Sequence, residues 1–173
     1  MSRNFHAFDE NSAPTAARAA LAGARKTFGF IPPPLARYAA SPLMLQAALS
    51  SLQSFEHSSL APLEQEVLAL TVAHENGCRF CVAVHRRRLA SIDAPPAVAE
   101  ALSKPGVLPD ARLEALRRFV LDVIERRGDV GSDSFEAFID NGFERAQALD
   151  VVLGVGAYTI TTFANRLTET SEI

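Results

Sequence analysis

The chain has 173 residues, of which 48 % are hydrophobic and 21 % are charged, and its formal net charge is −3. This slightly acidic balance argues against a general nucleic-acid-binding protein, which needs a basic surface. A chain of this length buries roughly 70 % of its unfolded surface, so it can fold without a structural metal or disulfide. We therefore expect one domain that spans residues 1–173.

Helical periodicity recurs along the chain, whereas the alternating pattern of strands is absent. Capping residues and prolines mark the ends of the helices. Thr15 is expected to cap the first helix, the prolines at 32–34 to end it, and Ser41 to cap the second. Ser132 or Asp133 is expected to cap the helix near residue 132. The predicted helices cover residues 15–28, 42–58, 62–76, 78–90, 95–103, 109–127, 132–140 and 143–167. The sequence thus predicts a compact all-α fold of about seven to nine helices.

The last predicted helix, 143–167, has apolar residues on nearly all of its sides. Its most apolar stretch, residues 151–164, has 14 residues, fewer than the ~20 that a membrane-spanning helix needs. We therefore expect no membrane contact. A helix without a polar face is expected either at the centre of the core or in a subunit interface.

The chain contains only two cysteines, which excludes a disulfide-dense secreted scaffold. The N-terminal residues are polar and lack the charged, apolar and small-residue pattern of a secretory leader. We therefore expect a cytoplasmic protein. In that compartment an accessible thiol pair is more often catalytic or metal-binding than structural.

Both cysteines and a histidine fall on one predicted helix. Cys78, Cys81 and His85 are spaced by three and four residues, so their side chains project from the same face. Cys78 begins the helix, where unpaired backbone amides and the positive end of the dipole favour a thiolate. The dipole therefore favours Cys78 as the more acidic thiol, whereas a histidine base favours Cys81.

Glu66 joins this group if the chain reverses direction at Gly77, a plausible helix end. The helices on either side then pack next to each other, and Glu66 lies level with His85. We expect Glu66 to orient His85 and His85 to take the proton from Cys81. Cys78 would be the exposed partner of this relay.

Other interpretations of the same residues stay open. Glu64 is the alternative to Glu66 as the carboxylate. A zinc site would use both cysteines and His85, with His74 or Glu66 as the fourth ligand. Both cysteines could instead be small core residues. A non-catalytic interaction protein would need only the apolar final helix.

Several polar and aromatic residues outside the motif are expected to be structural. The arginines beside the motif are interpreted as a solvated helix face, with Arg88 as the exception because it follows the histidine by one turn. Tyr158 and Phe163 are expected in the core. Asn165 and Arg166 are expected to form a salt-bridged helix end.

The combination of Glu66, the Cys78-Arg79-Phe80-Cys81 motif and His85 resembles the alkylhydroperoxidase-D-like branch of the carboxymuconolactone decarboxylase family. The likeness covers residues 27–85 and 150–167, and the core motif lies at 62–90. It implies an all-helical domain that assembles as a homo-oligomer.

The resemblance also implies a chemistry, the reduction of an organic hydroperoxide by a dithiol. Cys81 would attack the hydroperoxide and pass through a sulfenic acid, and Cys78 would resolve it to a disulfide. Glu66 and His85 would carry protons. A thioredoxin-like or lipoyl-bearing partner would then restore the thiols. No organic cofactor and no metal is implied, because the thiols themselves carry the electrons.

One residue departs from the family pattern. The peroxidases of this branch carry a histidine immediately before the second cysteine, where this chain has Phe80. A general disulfide reductase or a redox sensor is therefore the alternative function. The decarboxylase side of the family, which acts on a lactone acid, lacks the paired cysteines.

Overall fold

The computed structural model describes residues 3–170, and over that range the chain forms nine α-helices and no strand. The helices are α1 (Thr15–Phe28), α2 (Pro33–Tyr38), α3 (Pro42–Glu56), α4 (Pro62–Glu75), α5 (Arg79–Ser91), α6 (Pro96–Ala101), α7 (Ala111–Glu125), α8 (Ser132–Asp140) and α9 (Arg145–Leu167). The all-α fold predicted from the sequence is confirmed.

Helix α2 was not predicted, because three consecutive prolines were interpreted only as the end of α1. Pro33 and Pro34 occupy the first turn of α2. A proline is tolerated there, since the amide that it lacks has no partner inside the helix. The prolines therefore end one helix and begin the next, which places Tyr38 at the end of α2.

Two of the predicted helix caps are wrong. The residue before α1 is Pro14, and it takes the N-cap position that was predicted for Thr15. Gly131 takes the N-cap position of α8, rather than Ser132 or Asp133. In both cases the predicted residue lies inside the helix, and no side chain caps the first turn.

Helix α4 is the central element of the fold and packs against α5, α7 and α9. All ten of its residues from Glu64 to Ala73 are buried. Its apolar side chains belong to the main hydrophobic core, together with Phe55, Leu116 and Phe138. Because α4 is surrounded, any carboxylate on it needs a partner inside the fold.

Helix α9 has one buried face and one exposed apolar face. The inner face packs on α3 and α4 and includes the fully buried Val151. The large apolar side chains exposed on the outer face are Leu149, Val152, Leu153, Ile160, Phe163 and Leu167. The predicted core role is confirmed for the inner face but is wrong for Phe163. A subunit interface on the outer face stays a prediction.

By length and composition alone, the 23-residue helix α9 could also cross a membrane. The core helix of a soluble protein passes the same test. Here the inner face of α9 is packed against the other helices, and this packing is the role that the fold gives it.

Gly154 allows α9 to approach α4 closely. A Cβ atom at Gly154 would lie 2.5 Å from the ring of Phe55 and 2.8 Å from a methyl group of Leu68, both of which are fully buried. We expect Gly154→Ala to lower the free energy of unfolding by about 1–3 kcal/mol, because a packed core cannot yield to the added methyl group. Urea denaturation measures this change.

Gly156, two residues later, is the matched control. A Cβ atom there meets nothing within 4 Å, so Gly156→Ala is expected to stabilise the helix by up to about 1 kcal/mol. Equal effects of the two substitutions would contradict the close packing of α9 against α4.

Candidate functional site

The turn between α4 and α5 places the two cysteines. Helix α4 ends with Asn76 as its C-cap, and Gly77 follows with φ +61°. This left-handed conformation favours glycine, and it reverses the chain as the sequence predicts. Cys78 is the N-cap of α5, and its Sγ accepts a hydrogen bond from the backbone N–H of Cys81 at 3.3 Å.

The two cysteines are joined as a disulfide, and they are buried. Cys78 is 2 % exposed and Cys81 is 6 % exposed. They form a small apolar cluster with Ala73 and Phe80. The prediction that Cys78 is the exposed cysteine is therefore wrong, because a smaller fraction of its surface is exposed than of Cys81. Cys78 nevertheless lines two open clefts, and Cys81 lines neither of these.

Glu66 is buried on α4 and is bound by two residues of α5. Its Oε2 accepts a hydrogen bond from His85 Nδ1 at 2.8 Å, and its Oε1 lies 2.9 Å from Nε of Arg88. The structure thus brings Glu66 and His85 together as the spacing predicts, and Arg88 joins them. Because Nδ1 of His85 donates to a carboxylate, a neutral imidazole has its free lone pair on Nε2.

Tyr158 of α9 covers this pair. Its ring meets the His85 ring edge to face, with centroids 5.1 Å apart. Burial, with a smaller contribution from the nearby Glu66 carboxylate, raises the pKa of Tyr158 far above its usual range. The Tyr158 hydroxyl therefore stays neutral and adds no charge to the site.

Cys81 has polar contacts that the sequence analysis did not predict. Asn165 of α9 is buried, and its Nδ2 donates to Cys81 Sγ at 3.3 Å. Its Oδ1 accepts a hydrogen bond of 2.6 Å from the hydroxyl of Tyr38, which also lies 3.0 Å from the Thr161 carbonyl. Burial raises the pKa of Tyr38 far above its usual range, so the hydroxyl remains a donor. These contacts fix the orientation of the Asn165 amide toward Cys81.

The alternative site residues lie elsewhere. Glu64 accepts from the backbone N–H of Ala61 and pairs with Arg112 at 2.7 Å, so it serves the start of α4 and not the cysteines. His74 contacts the backbone carbonyl of Leu102 at 3.1 Å. Within residues 3–170, no group of three or more His, Cys, Asp or Glu is arranged to hold a metal ion.

One protein family matches part of the chain in sequence. Residues 38–111 match the model of the carboxymuconolactone decarboxylase family. None of the curated proteins matches the chain in sequence. The family match and the solved structures together confirm the resemblance to the alkylhydroperoxidase-D-like branch that the sequence predicts.

Three solved structures share the whole fold. An alkylhydroperoxidase AhpD core protein from Ralstonia eutropha JMP134, described as peroxidase-related, is 21 % identical, with a TM-score of 0.82 over 99 % of this chain and 92 % of that chain. A peroxidase-related protein from Silicibacter sp. TM1040 is 20 % identical, with a TM-score of 0.79 over 98 % and 93 %. The debrominase Bmp8, solved with 2,3,4-tribromopyrrole, is 12 % identical, with a TM-score of 0.78 over 100 % and 94 %.

These likenesses establish the fold, which hosts more than one chemistry. The debrominase shows that this fold does not by itself define the substrate.

We predict that Asn165 stabilises the thiolate of Cys81 in the reduced protein. A hydrogen bond to a charged group contributes roughly 1.5–3 kcal/mol, and one pH unit corresponds to about 1.4 kcal/mol. In a Cys78→Ser background, where only Cys81 titrates, Asn165→Ala should therefore raise the midpoint of thiolate absorbance at 240 nm by about one pH unit or more. Tyr38→Phe should raise it by less.

Asn141→Ala is the matched control, because within residues 3–170 the side chain of Asn141 bonds only to a backbone carbonyl of its own helix α8. It should leave the midpoint where it is. A midpoint that stays constant in Asn165→Ala would show that the Asn165 amide has no electrostatic role at Cys81.

Proposed function

We propose that this chain, which resembles the alkylhydroperoxidase-D-like branch of the carboxymuconolactone decarboxylase family, is a dithiol oxidoreductase that reduces organic hydroperoxides. The observation that carries the proposal is the pairing of buried Glu66 with His85, one helical turn beyond Cys81 on α5. A structural disulfide needs no such pair. A thiol that must lose and regain a proton does.

In the proposed reaction, the reduced protein first forms the Cys81 thiolate. The amides at the start of α5 and the Asn165 amide stabilise the negative charge. His85 accepts the proton on Nε2, because Glu66 holds the Nδ1 proton. Glu66 and His85 thus act as orienter and base, and Arg88 fixes the carboxylate from its other oxygen.

The Cys81 thiolate then attacks the outer oxygen of the hydroperoxide. The O–O bond breaks, an S–O bond forms, and the alcohol leaves with a proton from the imidazolium of His85. Cys78 attacks the resulting sulfenic acid, water leaves, and the Cys78–Cys81 disulfide forms. In total, one hydroperoxide and two thiols give one alcohol, one water and one disulfide.

The cycle needs a thiol reductant, and the family resemblance implies a thioredoxin-like or lipoyl-bearing partner. We further propose that the protein acts in the cytoplasm as a homo-oligomer. The outer face of α9, with Leu149, Phe163 and Leu167 exposed, is the surface that we expect the assembly to bury.

A general disulfide reductase is the second candidate, and Phe80 favours it. This residue lies between the two cysteines, is 8 % exposed, and brings an apolar ring where the related peroxidases have a proton-carrying histidine. A disulfide substrate needs no protonation of an oxygen leaving group, so the loss of that histidine affects it less.

The test is mass spectrometry of the anaerobically reduced protein before and after one equivalent of an organic hydroperoxide. We expect a loss of two hydrogens per chain within seconds. Cys78→Ser should instead trap a sulfenic acid on Cys81. His85→Ala and Glu66→Gln should slow the oxidation by about 10²-fold, the lower end of what a positioned base contributes.

His57→Ala is the control, since the imidazole of His57 hydrogen-bonds to a backbone carbonyl of α3. It should leave the rate of oxidation unchanged. A chain that stays reduced with hydroperoxide but is oxidised by a small disulfide would instead support the disulfide reductase. A chain that reacts with neither would contradict a redox function.

A further inference from the structure

Two arginines flank the cleft on one side of Cys78. This cleft, called here the Cys78 cleft, has a volume of about 560 Å³ and is lined by Gly77, Cys78, Arg79, Phe80, Asn165, Arg166, Glu169 and Thr170. Its size falls within the range of small-molecule sites, roughly 300–1,000 Å³. Cys78 and two exposed arginines therefore line one small-molecule-sized space.

Neither guanidinium group is held in an ion pair within the described part of the chain. Within residues 3–170, the side chains of Arg79 and Arg166 make no ion pair or hydrogen bond, although Glu169 lines the same cleft. The guanidinium carbon of Arg166 lies 3.8 Å from where a Cβ atom would stand on Gly77, the neighbour of Cys78. Arg3 adds a third positive charge, because it bonds to the Arg166 carbonyl at 3.4 Å.

The shape of the site selects a slender reactant. Cys78 is only 2 % exposed, so a sulfur that attacks it must enter one of the two clefts that it lines. A thiol on a short chain can do so, whereas a cysteine on the broad surface of a folded protein meets the rim first. The positive rim in turn favours an anion, and a guanidinium pairs best with a carboxylate.

We propose that the Cys78 cleft binds a small carboxylate-bearing thiol, which is the reductant of the Cys78–Cys81 disulfide, through Arg79 and Arg166. This inference rests on the dithiol function proposed above and names its electron donor. It also assigns Cys78 as the sulfur that the donor attacks.

The reduction proceeds in two balanced steps. The thiolate of the donor attacks Cys78 Sγ, the Cys78–Cys81 bond breaks, and Cys81 leaves as a thiolate next to the Asn165 amide. A second donor thiolate attacks the donor sulfur of the mixed disulfide and releases Cys78. Two donor thiols thereby become one disulfide, the protein gains two electrons, and their two protons end on Cys78 and Cys81.

The probes are 3-mercaptopropionate and 3-mercaptopropionamide. They have the same carbon chain, but the first ends in a carboxylate and the second in a neutral amide. Reduction of the oxidised protein is followed by alkylation and mass spectrometry, and the rates are compared per thiolate. We expect the acid to react roughly tenfold faster than the amide at low salt, the lower end of electrostatic steering. The ratio should fall toward one as the ionic strength rises.

Substitution of the arginines tests the assignment to this cleft. Arg79→Gln and Arg166→Gln should each lower the acid-to-amide ratio severalfold, and the double variant should bring it close to one. A general change in the reactivity of Cys78 alters the rates of the acid and the amide equally, so it leaves their ratio unchanged. Lys26→Gln removes an exposed charge on α1, outside the cleft, and should keep the ratio of the parent protein.

Several results would overturn the inference. An acid-to-amide ratio near one in the parent protein would contradict an anion site in the cleft. So would a tenfold ratio that is unchanged in the double variant. A ratio that falls in Arg86→Gln but not in Arg166→Gln would move the donor to the other cleft at Cys78, which Arg86 lines. Reduction by thioredoxin alone would make the donor a protein.

These failures are distinct from failure of the dithiol function itself. If the donor site is wrong but the dithiol function is right, hydroperoxide still oxidises the two cysteines to the disulfide. Thiols then reduce this disulfide at rates that do not depend on the charge of the thiol. If the function fails, hydroperoxide leaves the reduced protein unchanged whatever the state of the arginines.

Discussion

The buried carboxylate of Glu66 is the interaction on which the rest of the site depends. A carboxylate with 2 % of its surface exposed is costly unless its charge is paired. His85 and Arg88 of α5 bind its two oxygens, at 2.8 Å and 2.9 Å. These bonds lock α4 and α5 into one relative register. That register, together with the reversal at Gly77, holds the cysteine pair at the end of the two helices.

A second set of contacts completes the site from the distant helices α2 and α9. Tyr38 orients Asn165, and Asn165 donates to Cys81. Gly154 lets α9 lie close enough to α4 for this contact, because a side chain there would collide with the core. The two cysteines therefore have different surroundings. Cys78 lines the clefts, whereas Cys81 has the Asn165 amide as a polar partner, which stabilises a leaving or attacking thiolate.

Local signals in the sequence were sufficient for the fold and for half of the site. Residue spacing and the glycine at position 77 predicted that Glu66 and His85 would meet, because both follow from helix geometry and one turn. The role of Asn165 was not predictable in the same way, since it depends on how α9 packs against α5 across 84 positions of sequence. The burial of Cys78 likewise depends on tertiary packing. Helix α2 was not predicted, because prolines can begin a helix as well as end one.

The reduction potential of the Cys78–Cys81 pair distinguishes a catalytic dithiol from a structural disulfide. The disulfide is expected to be exchangeable, because the amides of α5 and the Asn165 side chain stabilise the reduced thiolate form. Equilibration with glutathione redox buffers, followed by alkylation and mass spectrometry, measures the potential. We predict a value above about −270 mV, in the range of catalytic dithiols. A value below about −300 mV is typical of structural disulfides and would contradict a catalytic role for the pair.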